Sequence, residues 1–272
     1  MRLIVLAAAV AALTLSACGK KEAAPAAGGA PSPAPEQSAA AAPPAEDKKE
    51  VELPAGFPKM TASYKAVYKA RMGEMGEREM TLEAAGARKL RFEMPHFSEE
   101  RAAAGDKVVG VFDDQQNRSV MFVEGPGAKK VALVIPQEEN MLASFLKWSS
   151  EDGAPPTKVG SDNVAGLSCD IWEAAADAGE APGQACITRD GILLRAGDKG
   201  AEPDVVAVSV DKGARPSSSF ALPEGYELLD MGPCRKLMEE AMAGAQSGKM
   251  PDMVAMQKCQ DIGMKAGEIF GQ

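Results

Sequence analysis

Lys89-Leu90-Arg91-Phe92-Glu93-Met94 alternates charged and apolar residues without a break. Successive side chains of a strand point to opposite faces, so Leu90, Phe92 and Met94 share one face and Lys89, Arg91 and Glu93 the other. A helix would scatter the same residues around its circumference. The stretch therefore reads as a strand with one dry and one wet face, the pattern of an antiparallel sheet.

The same texture extends in both directions. Tyr64, Ala66 and Tyr68 alternate with Lys65, Val67 and Lys69, after which Gly73-Glu74-Met75-Gly76 turns the chain and 78–84 runs back. Residues 108–112, 120–124 and 130–135 continue the series, with turns at 113–117 and at Gly125-Pro126-Gly127. Later, 167–174, 185–189, 192–194 and 205–210 are strand-like, and Asp190-Gly191 is a hairpin signal between two of them. One helix interrupts the strands. Pro136 and Glu138-Glu139 suit a helix entry, and Met141, Leu142, Phe145, Leu146 and Trp148 recur at spacings of three and four. The expected body, residues 59–230, is mainly β (α+β). Leu90, Phe92 and Met94, with Phe112 and Phe122 on neighbouring strands, are its candidate ligand-facing residues.

The ends of the chain differ from this body. Residues 1–17 comprise a charged start at Arg2, a short apolar run and the small residues Ser16 and Ala17, the three parts of a secretory signal. The apolar run is too short for a spanning helix of ~20 residues. Leu15-Ser16-Ala17-Cys18 resembles the lipobox of bacterial lipoproteins. That resemblance implies cleavage before Cys18 and a diacylglyceryl group on its thiol, with a further acyl chain such as palmitate on the new amino terminus. Such chains anchor a protein to a membrane. In the same family, Gly19 in place of Asp directs the protein to the outer membrane. Residues 18–58 are rich in Ala and Pro and poor in large apolar side chains, so they form an expected disordered tether. Fully extended, it reaches on the order of 100 Å.

Residues 231–272 read as a helical hairpin. Pro233 opens a stripe of Cys234, Leu237, Met238, Ala241, Met242 and Ala245, and Gly248 ends it. Pro251 opens a second stripe of Met256, Cys259, Ile262, Ala266 and Ile269.

Five cysteines are present, and with Cys18 lipidated four remain. An even number in an oxidising compartment points to two disulfides. Three pairings exist on paper; local pairing, Cys169–Cys186 and Cys234–Cys259, keeps each bridge within one supersecondary unit. The net charge of −9 disfavours nucleic acid as a partner, because cationic contacts to phosphate supply most of that affinity.

No catalytic constellation emerges. One histidine, His96, rules out a multi-histidine metal site. Gly166-Leu167-Ser168-Cys169-Asp170 lacks the final glycine of a nucleophile elbow. Gly125-Pro126-Gly127-Ala128-Lys129 lacks the length and ending of a phosphate loop. The acid pairs Asp113-Asp114 and Glu138-Glu139 are accounted for by a turn and a helix start. Met250, Met253 and Met256 repeat at helical spacing, and such thioethers suit Cu(I), though methionine also fills irregular core space.

Three motifs give residues 57–230 a family look: Gly166-x-x-Cys169-x-x-Trp172, Cys186-x-Thr188-x-Asp190-Gly191-Ile192, and Phe220-Ala221-Leu222-Pro223-Glu224-Gly225-Tyr226. They resemble an uncharacterised family of signal-bearing bacterial domains and, more distantly, the lipoprotein-localisation carriers. The resemblance implies a curved, unclosed antiparallel half-barrel whose concave face takes acyl chains or peptides, with no enzyme activity and no cofactor. The resulting expectation is a non-enzymatic lipoprotein of the envelope, its domain in the periplasm. It would bind an apolar ligand (lipid or acyl chain) or an envelope protein partner. A copper-binding protein and a purely structural lipoprotein are the alternatives.

Overall fold

The computed structural model describes residues 56–136, 155–174, 181–247 and 252–270. The expected signal segment, Cys18, most of the tether, the helix after Pro136, Gly248 and Met250 lie outside the described residues.

In chain order the strands are β1 (Ser63–Arg71), β2 (Glu77–Ala85), β3 (Lys89–Pro95), β4 (Lys107–Asp113), β5 (Arg118–Glu124), β6 (Val131–Pro136), β7 (Thr157–Val164), β8 (Leu167–Glu173), β9 (Gly183–Ile187), β10 (Leu193–Asp198), β11 (Val205–Lys212) and β12 (Glu227–Asp230). The helices are α1 (Glu99–Ala103), α2 (Gly232–Ser247) and α3 (Met253–Phe270). All twelve strands join one unclosed sheet in the order β12-β6-β5-β4-β3-β2-β1-β11-β10-β9-β8-β7. Every pairing is antiparallel except that of the short edge strand β12 with β6.

The sheet curls. Irregularities interrupt the ladders at Val67/Tyr68, Leu193/Arg195 and Lys158/Gly160, and such bulges bend and twist a strand. Strand β7 lies four places from β11, which in a flat sheet is roughly 19 Å. Yet Cα atoms of the two strands approach within 8 Å. On the same side, Arg195 of β10 pairs with Asp162 of β7 at 2.8 Å, reaching past β9 and β8. That side is the inner face of the curl, and the architecture is the expected half-barrel.

Register assigns the side chains to faces. Leu82, Phe92, Gly110, Met121 and Leu133 form one inner row across β2 to β6. Tyr64, Ala84, Leu90 and Phe112 form a second. Tyr64 and Tyr68 are fully buried among Leu194, Ile192 and the two cysteines of the first disulfide. Burial pushes the Tyr64 phenol up to about 12, and the Tyr68 hydroxyl donates to Leu193 O at 2.8 Å.

The outer face carries Val109, Val111, Val120, Phe122 and Ala132, sealed by Phe220, Leu222 and Tyr226. Phe220 closes a 3-10 turn, Ser217–Phe220, and the Tyr226 hydroxyl donates to Val123 O at 2.8 Å. At its far end the Phe57 and Trp172 rings lie 4.9 Å apart, tilted by 58°, over Ala185 and Ile187. Gly191 (φ +86°) serves twice there: its backbone is left-handed, and a Cβ would strike Met60.

Two strands and one helix go beyond the sequence expectation. β7 carries no apolar alternation because most of its side chains face solvent at the sheet edge. β12 buries only Leu229. Helix α1 spans five residues and buries none. The Asp190-Gly191 turn is also longer than two residues: Thr188 N–H donates to Ile192 O and Ile192 N–H donates to the Thr188 hydroxyl, enclosing three residues.

Both disulfides follow the local pairing. Cys169–Cys186 spans a Cα separation of 5.3 Å. It lies diagonally at the end of the β8–β9 ladder, since Cys186 stands opposite Ile171. Cys234–Cys259 joins α2 to α3 with Cα atoms 5.4 Å apart. Each closes a loop of the length for which chain entropy predicts about 3 kcal/mol.

Candidate functional site

Of the five ligand-facing candidates, Leu90, Phe92, Met94 and Phe112 share the inner face. Phe122 stands on the outer face, fully buried, with the Tyr226 ring edge-on at 5.2 Å and the Arg91 guanidinium over its own ring at 5.9 Å. The strand of Phe122 has apolar residues on both faces, so its alternation gives no side preference.

Leu90, Met94 and Phe112 are themselves packed away, each less than a tenth exposed. Phe92 is the exception. It lies down over Gly110, where any Cβ would collide with its ring, and stacks on Phe112 at 5.7 Å. Around it Met80, Leu82, Met121 and Ile135 are also only half-buried. These five side chains form an apolar trough on the inner face.

Helix α3 borders the trough. Its Ala266 and Ile269 are buried against Met94, Val108, Val123, Leu133 and Leu229, with Ile262 and Phe270 partly buried beside them. The inward stripe of Ile262, Ala266 and Ile269 is the one read from sequence. On α2, Cys234 and Leu237 are buried, but Met238 is 54% exposed and departs from its expected stripe. Met253 is 66% exposed and Met256 half-buried, so of the two copper candidates among the described residues one faces solvent.

The carboxyl end of α3 is held by a polar receptor that sequence reading missed. The last carbonyls of a helix lack intrahelical donors. Here Arg101 Nη1 donates to Ile269 O at 2.7 Å, and His96 Nε2 lies 3.2 Å from the same oxygen. Ser98 N–H donates to His96 Nδ1 at 3.0 Å, so the imidazole carries its proton on Nε2 and donates from there. Arg101 in turn pairs through Nε with Asp106 Oδ2 at 2.8 Å, and Gly127 N–H donates to Asp106 Oδ1 at 3.1 Å. Asp106 is 1% exposed. Burial pushes its carboxyl up, but the Arg101 and Gly127 hydrogen bonds outweigh burial and hold it below the usual carboxylate range. The Gly125-Pro126-Gly127 turn thereby has a specific role, since a Cβ at Gly125 would collide with Asp106. Exposed pairs Lys129–Glu268 and Lys265–Glu227 add little at the rim.

A separate cavity of about 150 Å³ lies at the curled end, lined by Ile171, Gln184, Cys186, Arg195, Gly197 and Asp198 among others. Ligand pockets generally need ~300 Å³ or more. Desolvation, then the neighbouring Asp198, pushes Asp204 up from the ordinary value. Among the described residues no group of three or more His, Cys, Asp or Glu is placed to hold a metal ion. Likewise, no helix among them is long and apolar enough to cross a membrane.

No family model and no curated protein matches the chain. Among solved structures, an uncharacterised conserved protein from Thermus thermophilus is similar over 63% of this chain and 91% of its own, at 13% identity and a TM-score of 0.42. PNGF-II matches over 62% of this chain at 13% identity and a TM-score of 0.39, with 31% of its own length covered. The MucA/MucB complex structure from Pseudomonas aeruginosa matches over 60% of this chain and 56% of that chain, at 14% identity and a TM-score of 0.35. Scores this low carry no inference about ligand, partner or activity.

Proposed function

We propose that this chain is a lipid-anchored protein of the bacterial envelope whose folded part is a non-enzymatic binding module for an apolar surface, in particular the apolar flank of an amphipathic helix on an envelope protein. The observation that carries this reading is the trough of Met80, Leu82, Phe92, Met121 and Ile135, half-buried beside a helix already seated on the same face. A helix laid in an apolar groove is a recurring mode of recognition. The alternative occupant, an acyl chain, would meet the same apolar side chains.

The two disulfides belong to an oxidising compartment. Cys18 supplies the anchor and the Ala/Pro-rich stretch the tether, with the outer membrane as the destination that Gly19 favours. Cys18→Ala protein should leave the membrane fraction; continued partitioning with membranes would remove the anchor from the proposal.

A photo-crosslinking side chain at Phe92 tests the binding surface in intact cells, with the same group at exposed Lys69 as control. Crosslinks to an envelope protein from position 92 alone are expected. Labelling of phospholipid alone, or equal protein labelling from both positions, would sink the helix-binding reading.

A further inference from the structure

We infer that the cavity at the curled end is a second binding site, taking the zwitterion of a small α-amino acid of the size of glycine or alanine. The cavity shares no residue with the apolar trough, so this site stands or falls independently of that surface.

Register builds its floor. Ile171, Cys186 and Arg195 lie opposite one another across β8, β9 and β10, and Gln184 and Gly197 pair two residues further on, on the same face. The roof is the β10–β11 turn, from Asp198 to Pro203. It folds back onto the floor at Gly197, where any Cβ would strike Pro203 and Asp204. Backbone hydrogen bonds hold it there: Asp204 N–H donates to Ala196 O at 2.8 Å, and Lys199 N–H donates to Pro182 O at 2.9 Å. On the floor, Gln184 Nε2 donates to Glu173 Oε2 at 2.8 Å, which fixes the amide.

Two opposite charges line this space without meeting each other. Arg195 pairs instead with Asp162 through Nη1 at 2.8 Å, a contact that does not exhaust the five donors of a guanidinium. Asp198 Oδ1 is shut off from solvent with no hydrogen-bond partner. A buried acceptor without a donor is costly. Burial, then the Asp198 charge, also pushes the neighbouring Asp204 carboxyl up, as expected where two acids lack a cation between them. One side of the cavity therefore calls for a positive group, and the Arg195 side offers charged donors to a carboxylate. A ligand carrying both an ammonium and a carboxylate answers both. A metal ion answers only the first, and among the described residues no third His, Cys, Asp or Glu joins the two aspartates.

Volume sets the size of the ligand. The cavity of about 150 Å³ equals the liquid volume of roughly five waters, so a ligand of about five or six heavy atoms fills it. Drug-sized molecules need about twice that space. Glycine and alanine match it, and Ile171 gives the alanine methyl an apolar wall.

Isothermal titration of the full-length protein with glycine, alanine, acetate and methylammonium tests the site. Both amino acids should bind. Acetate and methylammonium, each with half of the charge pattern, should bind about tenfold or more weakly, and Asp198→Asn should weaken alanine binding by about the same factor. Ala201→Leu, on the exposed roof, should abolish binding by filling the cavity while the melting temperature stays that of the wild type. Failure of both amino acids to bind at millimolar concentration overturns the proposal. Acetate or methylammonium binding as tightly as glycine overturns zwitterion recognition, and binding retained in Ala201→Leu protein places the amino acid elsewhere. Calcium chloride is titrated alone as a further arm: calcium uptake lost in Asp198→Asn, with no amino acid bound, overturns the proposal in favour of a cation site.

Discussion

The two apolar faces of the sheet are built from the same kinds of residue and finished differently. On the outer face, Phe220, Leu222 and Tyr226 close over Phe122 and its neighbours, and Arg91 adds a hydrogen bond to Ser219 O. Phe122 is left with no exposed surface. On the inner face the cover is a helix touching the sheet by its second half, and Phe92, Met121 and Ile135 remain half-buried. The outer cover arrives on a segment hydrogen-bonded to the strands at several points, while the inner one belongs to a helical hairpin whose α3 is bonded to the body mainly at its carboxyl end. The sealed residues of the outer face are core, whereas the half-buried ones of the inner face are those proposed to meet a partner.

That contrast can be broken by mutation. Phe122→Ala should destabilise the domain by about 3–5 kcal/mol, the cost of a large core truncation, in urea denaturation. Phe92→Ala should cost about 1–2 kcal/mol, in keeping with a half-buried ring, yet abolish crosslinking-detected partner binding from the inner face. Equal losses of stability would mean that both faces are core.

The buried charge that supports the inner cover offers a second, smaller handle. Asp106→Asn should cost roughly 1.5–3 kcal/mol, because Arg101 loses a charged hydrogen-bond partner. The sign of its pH dependence follows from the depressed carboxyl. Folded Asp106 binds a proton less readily than unfolded Asp106, so its contribution is fully present above the ordinary carboxylate range and is lost as pH falls through the lower folded value. Glu93 and Asp190 are depressed as well and add to the acid loss of the wild type. The informative quantity is therefore the difference between wild type and variant, measured by urea melts from pH 6 to pH 3. It should shrink toward acid, and a constant difference would contradict the assignment.

The smallest expected effect lies at the β7–β8 turn, away from both covers. Ala165 sits at φ +51°, a conformation costly for a residue with a Cβ. Ala165→Asn should stabilise the domain by about 0.5 kcal/mol and leave partner binding unchanged. A change in binding would show that the sheet edge is coupled to the inner face.

Much of this architecture is legible in the sequence. Strands with strict alternation, such as 89–94 and 63–71, are read almost to their ends because burying one face imposes a period of two. Local cysteine spacing anticipates both bridges, and the inward stripe of α3 is read from its spacing. The misses share a cause. Strands β7 and β12 bury few side chains, so no period betrays them. Phe122 lies in Val120-Met121-Phe122-Val123, apolar on both faces, and its side is set by registry with β4 and β6. The receptor for the α3 terminus unites His96, Arg101 and Asp106 with a carbonyl more than 160 residues away, a distance over which no local pattern operates.

Sequence alone determined the antiparallel β body, the helical hairpin and the disulfide pairing, because each rests on periodicity or short-range spacing. Only the tertiary structure decided which apolar row is core and which is trough, and that α3 covers the inner face. Exposure is a property of what packs on top, and the packing residues here come from the opposite end of the chain.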